Sequence, residues 1–209
     1  MKNVINRLAT GCFVTLAASM LIVSCQKTND AKAPLSLNNE RASVPTQTAD
    51  TIWGNFANPA AGPSGFGTVY WNVITGAQDN TGTITNNLQF SSFNNGNLSK
   101  SNSNDTLRYI NTTKALGSIA ISDYNSATAV TTYLGQNTST DAANSSLAAT
   151  GFWNYDNTLH AVSYTQNVVI FFRAQGSSNI YAFKLNNAWG EGTSTFNRGV
   201  YSLRRGLVN

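Results

Sequence analysis

The apolar positions of this 209-residue chain fall into two unlike regions. The first is one continuous run. Leu8 to Val23 is apolar except for small and hydroxyl residues, and it follows a short basic start, Lys2 and Arg7. A bilayer-spanning helix needs roughly 20 apolar residues. A shorter run behind a basic start predicts a secretory signal peptide over residues 1–24 rather than a permanent anchor. The second region, from Thr51 onward, is broken into short apolar stretches divided by Gly, Asn and Ser, which predicts strands and turns. Phe66–Ile74 is rich in β-branched and aromatic residues and closes at Thr75-Gly76. Leu88–Phe93 follows, and Asn95-Gly96, a dipeptide that accepts positive φ, predicts a two-residue hairpin turn. Thr106–Thr113, the strictly alternating Ser118–Ser122 and Ala129–Leu134 are further predicted strands.

The last third has the clearest pattern. Val168–Phe172 is short and continuously apolar, as in a strand buried on both faces. Gln175–Asn179 reads as a turn. Ile180–Leu185 then sets Tyr181, Phe183 and Leu185 on one face and Lys184 on the other, and Thr195–Arg205 returns as the last strand. One stretch differs: Thr140 as cap, Ala142, Ala143, Leu147, Ala148 and Ala149 as helix formers and Gly151 as stop predict one short helix over 140–149. The pattern as a whole predicts an all-β fold, an antiparallel two-sheet clamp or sandwich with at most one short helix. Val169, Phe171 and Phe183 are expected in its core.

Between the two regions, residues 26–50 hold Pro34, Pro45, many Asn, Thr, Ala and Ser, and no aromatic residue. Such a segment buries too little apolar surface to offset its ordering entropy. It reads as a flexible tether with a mean reach of about 25–30 Å. The organisation expected is a signal peptide over 1–24, Cys25 with its tether over 25–50, and a single β domain over 51–209. A domain near 150 residues buries about 68–70% of its unfolded surface, enough for one core.

The signal run ends in Leu21-Ile22-Val23-Ser24-Cys25, which resembles the lipobox of bacterial lipoproteins. The resemblance implies that Cys25 is acylated, becomes the new N-terminus and inserts in a lipid bilayer, and it implies an outer-membrane location. The residues after it, Gln26 to Asp30, lack the acidic cluster associated with surface export. Both the periplasmic and the cell-surface orientation stay open.

Charge and cysteine content narrow the function. The net charge of +4 includes Lys2 and Arg7 of the signal; from Thr51 onward eight Lys and Arg face six Asp and Glu. A balance of +2 is not the dense basic face of a nucleic-acid binder, and Arg204-Arg205 reads as a solvated strand end. Cys12 and Cys25 are the only cysteines, so the domain is expected to have no disulfide, Cys metal site or Cys nucleophile. Glu191 is the domain's only Glu, the Asp residues are scattered, and no Ser, His and acid grouping stands out. A non-enzymatic protein is expected. Trp53, Trp71, Trp153 and Trp189 supply either a stacking platform or core.

Gly151-Phe152-Trp153, Tyr164–Arg173, Gly176 with Ile180–Leu185, and a closing strand near Tyr201 resemble HmuY, the haem-binding lipoprotein family of Bacteroidetes. Val69–Gly76 is similar to the first core strand of that family, and Leu88–Phe93 sits where its next strand belongs. The resemblance covers most of residues 66–205. It implies an all-β clamp for haem or a porphyrin, with iron held by paired His or paired Met, and an outer-membrane receptor as a further partner. Here the pair is missing. His160 is the only His, and Met1 and Met20 lie in the signal run. The candidate haem contacts or ligands are therefore His160, Tyr155, Tyr164 and Trp153, with His160 the candidate for metal and Tyr an alternative axial ligand. The alternative function is a non-enzymatic surface module that binds glycan or protein through its aromatic residues.

Overall fold

Every residue from Val168 to Phe172 is buried, because the strand they form has a packed layer on each side. A computed structural model shows how. It describes residues 44, 46–85, 87–138, 147–156 and 158–208, all within the compact unit Asn39–Asn209. The signal run, Cys25 and most of the tether lie outside the described residues, as does most of the helix expected over 140–149; Leu147 and Ala148 form a turn.

The strands in chain order begin with β1 (Thr48–Trp53), β2 (Val69–Trp71), β3 (Gln78–Asp79), β4 (Leu88–Ser91), β5 (Asn97–Lys100) and β6 (Thr106–Asn111). A short helix, α1 (Ile121–Ser126), precedes β7 (Thr128–Ala129). Then come β8 (Trp153–Asp156), β9 (Ala161–Tyr164), β10 (Val168–Arg173), β11 (Ile180–Thr193) and β12 (Phe196–Val208). They make a six-stranded sheet in the order β1-β12-β11-β10-β6-β7, a four-stranded sheet β3-β2-β4-β5, and the hairpin β8-β9. All ladders between these strands are antiparallel, so the fold is all-β.

The two larger sheets pack face to face. Trp71, Leu88, Phe90 and Leu98 of the smaller sheet meet Leu107, Ile170, Phe172, Phe183 and Tyr201 of the larger. The Trp71 and Phe183 rings meet edge-on with centroids 5.2 Å apart, and Phe90 stacks on Tyr201 at 6.1 Å. On the far side of the six-stranded sheet, Val169, Phe171 and Ala182 are covered by Val44, Leu116, Ile119 and Tyr124. Successive side chains of a strand point to opposite faces. With both faces covered, β10 is apolar from Val168 to Phe172, and Val169, Phe171 and Phe183 are fully buried as expected.

Several expected elements differ. Of Phe66–Ile74 only Val69–Trp71 is extended: Pro63 opens a 3-10 turn that ends at Phe66, and the Asn72 side chain accepts from the amides of Ile74 and Thr75, curling the chain after β2. Ser118–Ser122 is not a strand. Asp123 accepts from the Ala120 amide at 2.9 Å and pairs with Lys114 at 2.5 Å, which holds the start of α1. Local capping by a carboxylate wins there over a five-residue alternation. Of Ala129–Leu134 only Ala129 lies in a strand, the two-residue β7 that pairs with β6.

Two further corrections lie at the N-terminal edge. The expected domain start at Thr51 falls inside β1, and Val44 is fully buried. Gly206 makes this possible, since a Cβ there would lie 2.3 Å from the Thr46 carbonyl oxygen and 2.4 Å from Val44 Cγ1. Arg204 is exposed as expected, but Arg205 is not a solvated strand end. It is buried, pairs with Asp50 of β1 and donates to the Ile74 carbonyl at 2.8 Å.

Candidate functional site

The outer halves of β11 and β12 run on past the end of β10 to a two-residue turn at residues 194–195. The β8-β9 hairpin packs against β11 beyond its own sheet. Between these elements and the turn linking β4 to β5 lies a cavity of about 810 Å³.

One wall is set by Asn95. Its side chain donates to the carbonyls of Phe66, Gly67 and Phe90 and accepts from the Asn55 amide at 2.7 Å. The expected two-residue Asn95-Gly96 turn is instead a 3-10 turn over Phe93–Asn95, with Asn94 and Asn95 at φ 54° and 52°. Asn tolerates this left-handed region better than most residues. The turn presents Phe93 and Asn94 to the cavity, with Phe66 beside them. Gly96 has another use: Trp153 lies on its bare backbone and donates from Nε1 to its carbonyl at 2.8 Å. A Cβ on Gly96 would sit 2.4 Å from the indole.

Trp153 thereby fixes the start of β8. It is 5% exposed, a packing residue whose edge reaches the cavity. Tyr155 follows two residues on and is half-buried in the same wall. The connection to β9 is held by Asp156, whose Oδ1 accepts from the amides of Thr158 and Leu159 at 2.8 and 2.9 Å. It ends at His160, at φ 50°. Tyr155 Oη and His160 Nδ1 are 3.2 Å apart, so the two candidate donors form one hydrogen-bonded pair on the cavity wall.

The opposite wall comes from β11 and β12, where Trp189-Gly190-Glu191-Gly192 alternates large and absent side chains. Glu191 accepts from Arg198 Nη2 at 2.7 Å and Nε at 3.0 Å, and from Trp189 Nε1 at 3.1 Å. The Arg198 bonds, then that of Trp189, hold the Glu191 carboxyl below the usual carboxylate range. Arg198 in turn lies 4.8 Å over the Trp53 ring and 4.4 Å over that of Phe56. Trp53 meets Trp189 edge-on at 6.4 Å, and Phe56 stacks on Phe196 at 5.2 Å. An exposed aromatic cluster therefore adjoins the cavity. A Cβ on Gly190 would meet only Val162 Cγ2 at 3.9 Å and the Arg198 carbonyl at 4.0 Å, ordinary contact distances.

The four predicted residues within the domain divide. Trp153, Tyr155 and His160 come together on this cavity, whereas Tyr164 lines a separate hollow of about 420 Å³ with Gln47, Leu116, Lys184 and Arg204. Burial there pulls the Lys184 ammonium below its usual pKa. Among the described residues no group of three or more His, Cys, Asp and Glu could hold a metal ion. Glu191, Arg198 and Gly190 were not singled out as site residues in the sequence; the alternation of Gly with Trp and Glu in a strand was the available signal, since bare strand positions often mark the close approach of a ligand or backbone. Ligand pockets run from about 300 to 1,000 Å³ and are mostly apolar with a few convergent polar groups. This cavity fits that description, with a Tyr–His pair on one wall and a Glu–Arg pair on the other. Comparison of the chain with family models, curated proteins and solved structures finds no match.

Proposed function

We propose that the protein is a lipid-anchored, non-catalytic ligand-binding module of the outer membrane whose cavity takes haem or a related porphyrin. The observation that carries this reading is the cavity of about 810 Å³, bordered by Phe66, Phe93, Trp153 and Trp189, with Tyr155 and His160 on its wall. The residues fit a flat apolar macrocycle. Gly190 leaves open the space that a side chain would fill, and Tyr or His can each hold haem iron. Haem would bring the iron and the macrocycle; the chain would hold, orient and shield them. A His–His or Met–Met pair cannot come from one mature chain, because His160 is the only His and both Met residues precede Cys25. One protein ligand is the most this cavity offers from those residue types.

Haemin titrated into the full chain in detergent, against a detergent blank, should give a saturable, sharpened Soret band. Gly190→Leu should weaken that binding on the order of tenfold, since the added side chain enters the cavity. Its unfolding midpoint should stay near that of the wild type, because the new Cβ meets nothing closer than 3.9 Å. Absence of saturation in the wild-type chain ends the haem reading. The anchor is tested separately. Cys25→Ser should move the protein out of the membrane fraction, because acyl chains, not a spanning helix, would hold it there. Unchanged membrane association would contradict acylation at Cys25.

A second reading, a surface module for glycan or protein, draws on the exposed Trp53, Phe56 and Phe196. Under that reading haemin does not saturate, and ligand binding perturbs the fluorescence of Trp53 and Trp189.

A further inference from the structure

We propose that the hollow of about 420 Å³ binds a phosphate group, held between Lys184 and Arg204. It is separate from the cavity between β8 and β11 and does not rest on the haem reading. Lys184 of β11 and Arg204 of β12 are directly opposite in their antiparallel ladder, and the row continues to Ala49 of β1. Residues opposite one another share a face, so the two cations stand side by side, an arrangement that opposes folding. Ala182 and Gly206 lie two positions along the same strands and on the same face, which Val44 and Leu116 cover. The hollow opens where this cover ends, with Leu116 in its lining.

No acid offsets the pair. The other two arginines of β12 each have a carboxylate: Arg198 meets Glu191, and Arg205 meets Asp50. Asp50 faces Leu203 in the ladder, which puts it on the opposite face from Ala49 and so from Arg204. Among the described residues the side chains of Lys184 and Arg204 have no ion-pair partner, and no Asp or Glu lines the hollow. Lys184 is half-buried, and its lost hydration pulls the ammonium below its usual pKa. An anion between the two cations would replace the stabilisation that water no longer supplies.

The rest of the lining suits an oxyanion. Gln47, Gln166 and Asn186 bring side-chain amides and Tyr164 a hydroxyl, all able to donate. Gly117 leaves room for Gln47, whose Nε2 would lie 3.1 Å from a Cβ there. A guanidinium presents a planar fork that matches phosphate oxygens in pairs, and an ammonium beside it acts as a point charge. Ligand pockets begin at about 300 Å³, so the hollow has room for the body of a phosphorylated small molecule or of a lipid headgroup as well as the phosphate itself.

The test follows unfolding midpoints of the full chain in a neutral detergent at constant ionic strength. Inorganic phosphate at millimolar concentration is compared with chloride and acetate. Phosphate should raise the wild-type midpoint saturably, because a ligand that binds only the folded state stabilises it. Lys184→Gln and Arg204→Gln should each weaken phosphate on the order of tenfold. Without phosphate, each variant should unfold at or above the wild-type temperature, because the opposed like charges are gone; a lower midpoint there would count against the proposal. Phosphatidic acid mixed into the micelles separates the sources. A rise larger than inorganic phosphate gives, lost when both residues are replaced, assigns a lipid headgroup. A rise with inorganic phosphate and none beyond it with phosphatidic acid assigns a soluble phosphate compound. Equal rises with acetate and phosphate, the same phosphate response in wild type and both variants, or no saturable response to either phosphate probe would overturn the proposal.

Discussion

Replacing Phe183 with alanine should lower the free energy of unfolding by about 3–5 kcal/mol. Phe183 lies in β11 at zero exposure, where the six-stranded and four-stranded sheets meet. Its ring packs edge-on against Trp71, itself fully buried. Both neighbours along the ladder, Ile170 and Arg205, are held by their own strands, so the hole left by the ring can close only partly. Urea unfolding should show an earlier midpoint with an unchanged slope. A loss below about 1 kcal/mol would place the side chain outside the sheet interface.

A second large effect is expected at Asp50. Its carboxylate pairs with Arg205, and the two side chains are 13% and 9% exposed. Removing one member of a buried pair strands the other charge, at a cost of about 3–5 kcal/mol. Asp50→Ala removes the carboxylate that faces the guanidinium and leaves its bond to the Ile74 carbonyl, so a loss of that size is expected. Adding Arg205→Leu should recover much of it, because the uncompensated charge is gone. The pair is also sterically framed by Gly76, where a Cβ would come within 2.7 Å of both Arg205 Nη2 and Asp50 Oδ1. Equal destabilisation in the single and double variants would show that the Asp50 site matters through backbone packing and not through charge.

That pair also shows where reading the sequence succeeds and where it stops. Thr75-Gly76 is legible as a turn because positive φ is a local demand, and Gly76 indeed has φ 82°. The partner of Arg205 is not legible, since Asp50 lies 155 positions away, in a polar stretch that reads as tether. Val44 was hidden for the same reason: a single apolar residue carries no periodicity, and its burial depends on the bare Gly206 opposite. The long apolar strands were readable because their burial is written in consecutive residues. Ser118–Ser122 was misread because Asp123, just beyond the alternating stretch, caps the chain into a helix.

The candidate site was legible in part. Tyr155 and His160 lie five residues apart, and a hairpin turn between them is enough to bring them into contact. Tyr164 is equally near in sequence but lines the other hollow. Trp189, Glu191 and Arg198 meet only because β11 and β12 are in register, with Glu191 opposite Arg198. Asn95 looked like a turn former and is one, yet its larger role is to tie three carbonyls from two segments behind the cavity wall. None of those carbonyls leaves a mark in the sequence.

The most direct measurement is a crystal of the full chain soaked with haemin, with an anomalous difference map collected at the iron edge. One strong iron peak should appear in the cavity between β8 and β11, on the wall that holds Tyr155 and His160. A map without an iron peak there at full haemin occupancy elsewhere, or with iron bound at the hollow beside Tyr164 and Lys184, would contradict the assignment of this cavity as the haem site.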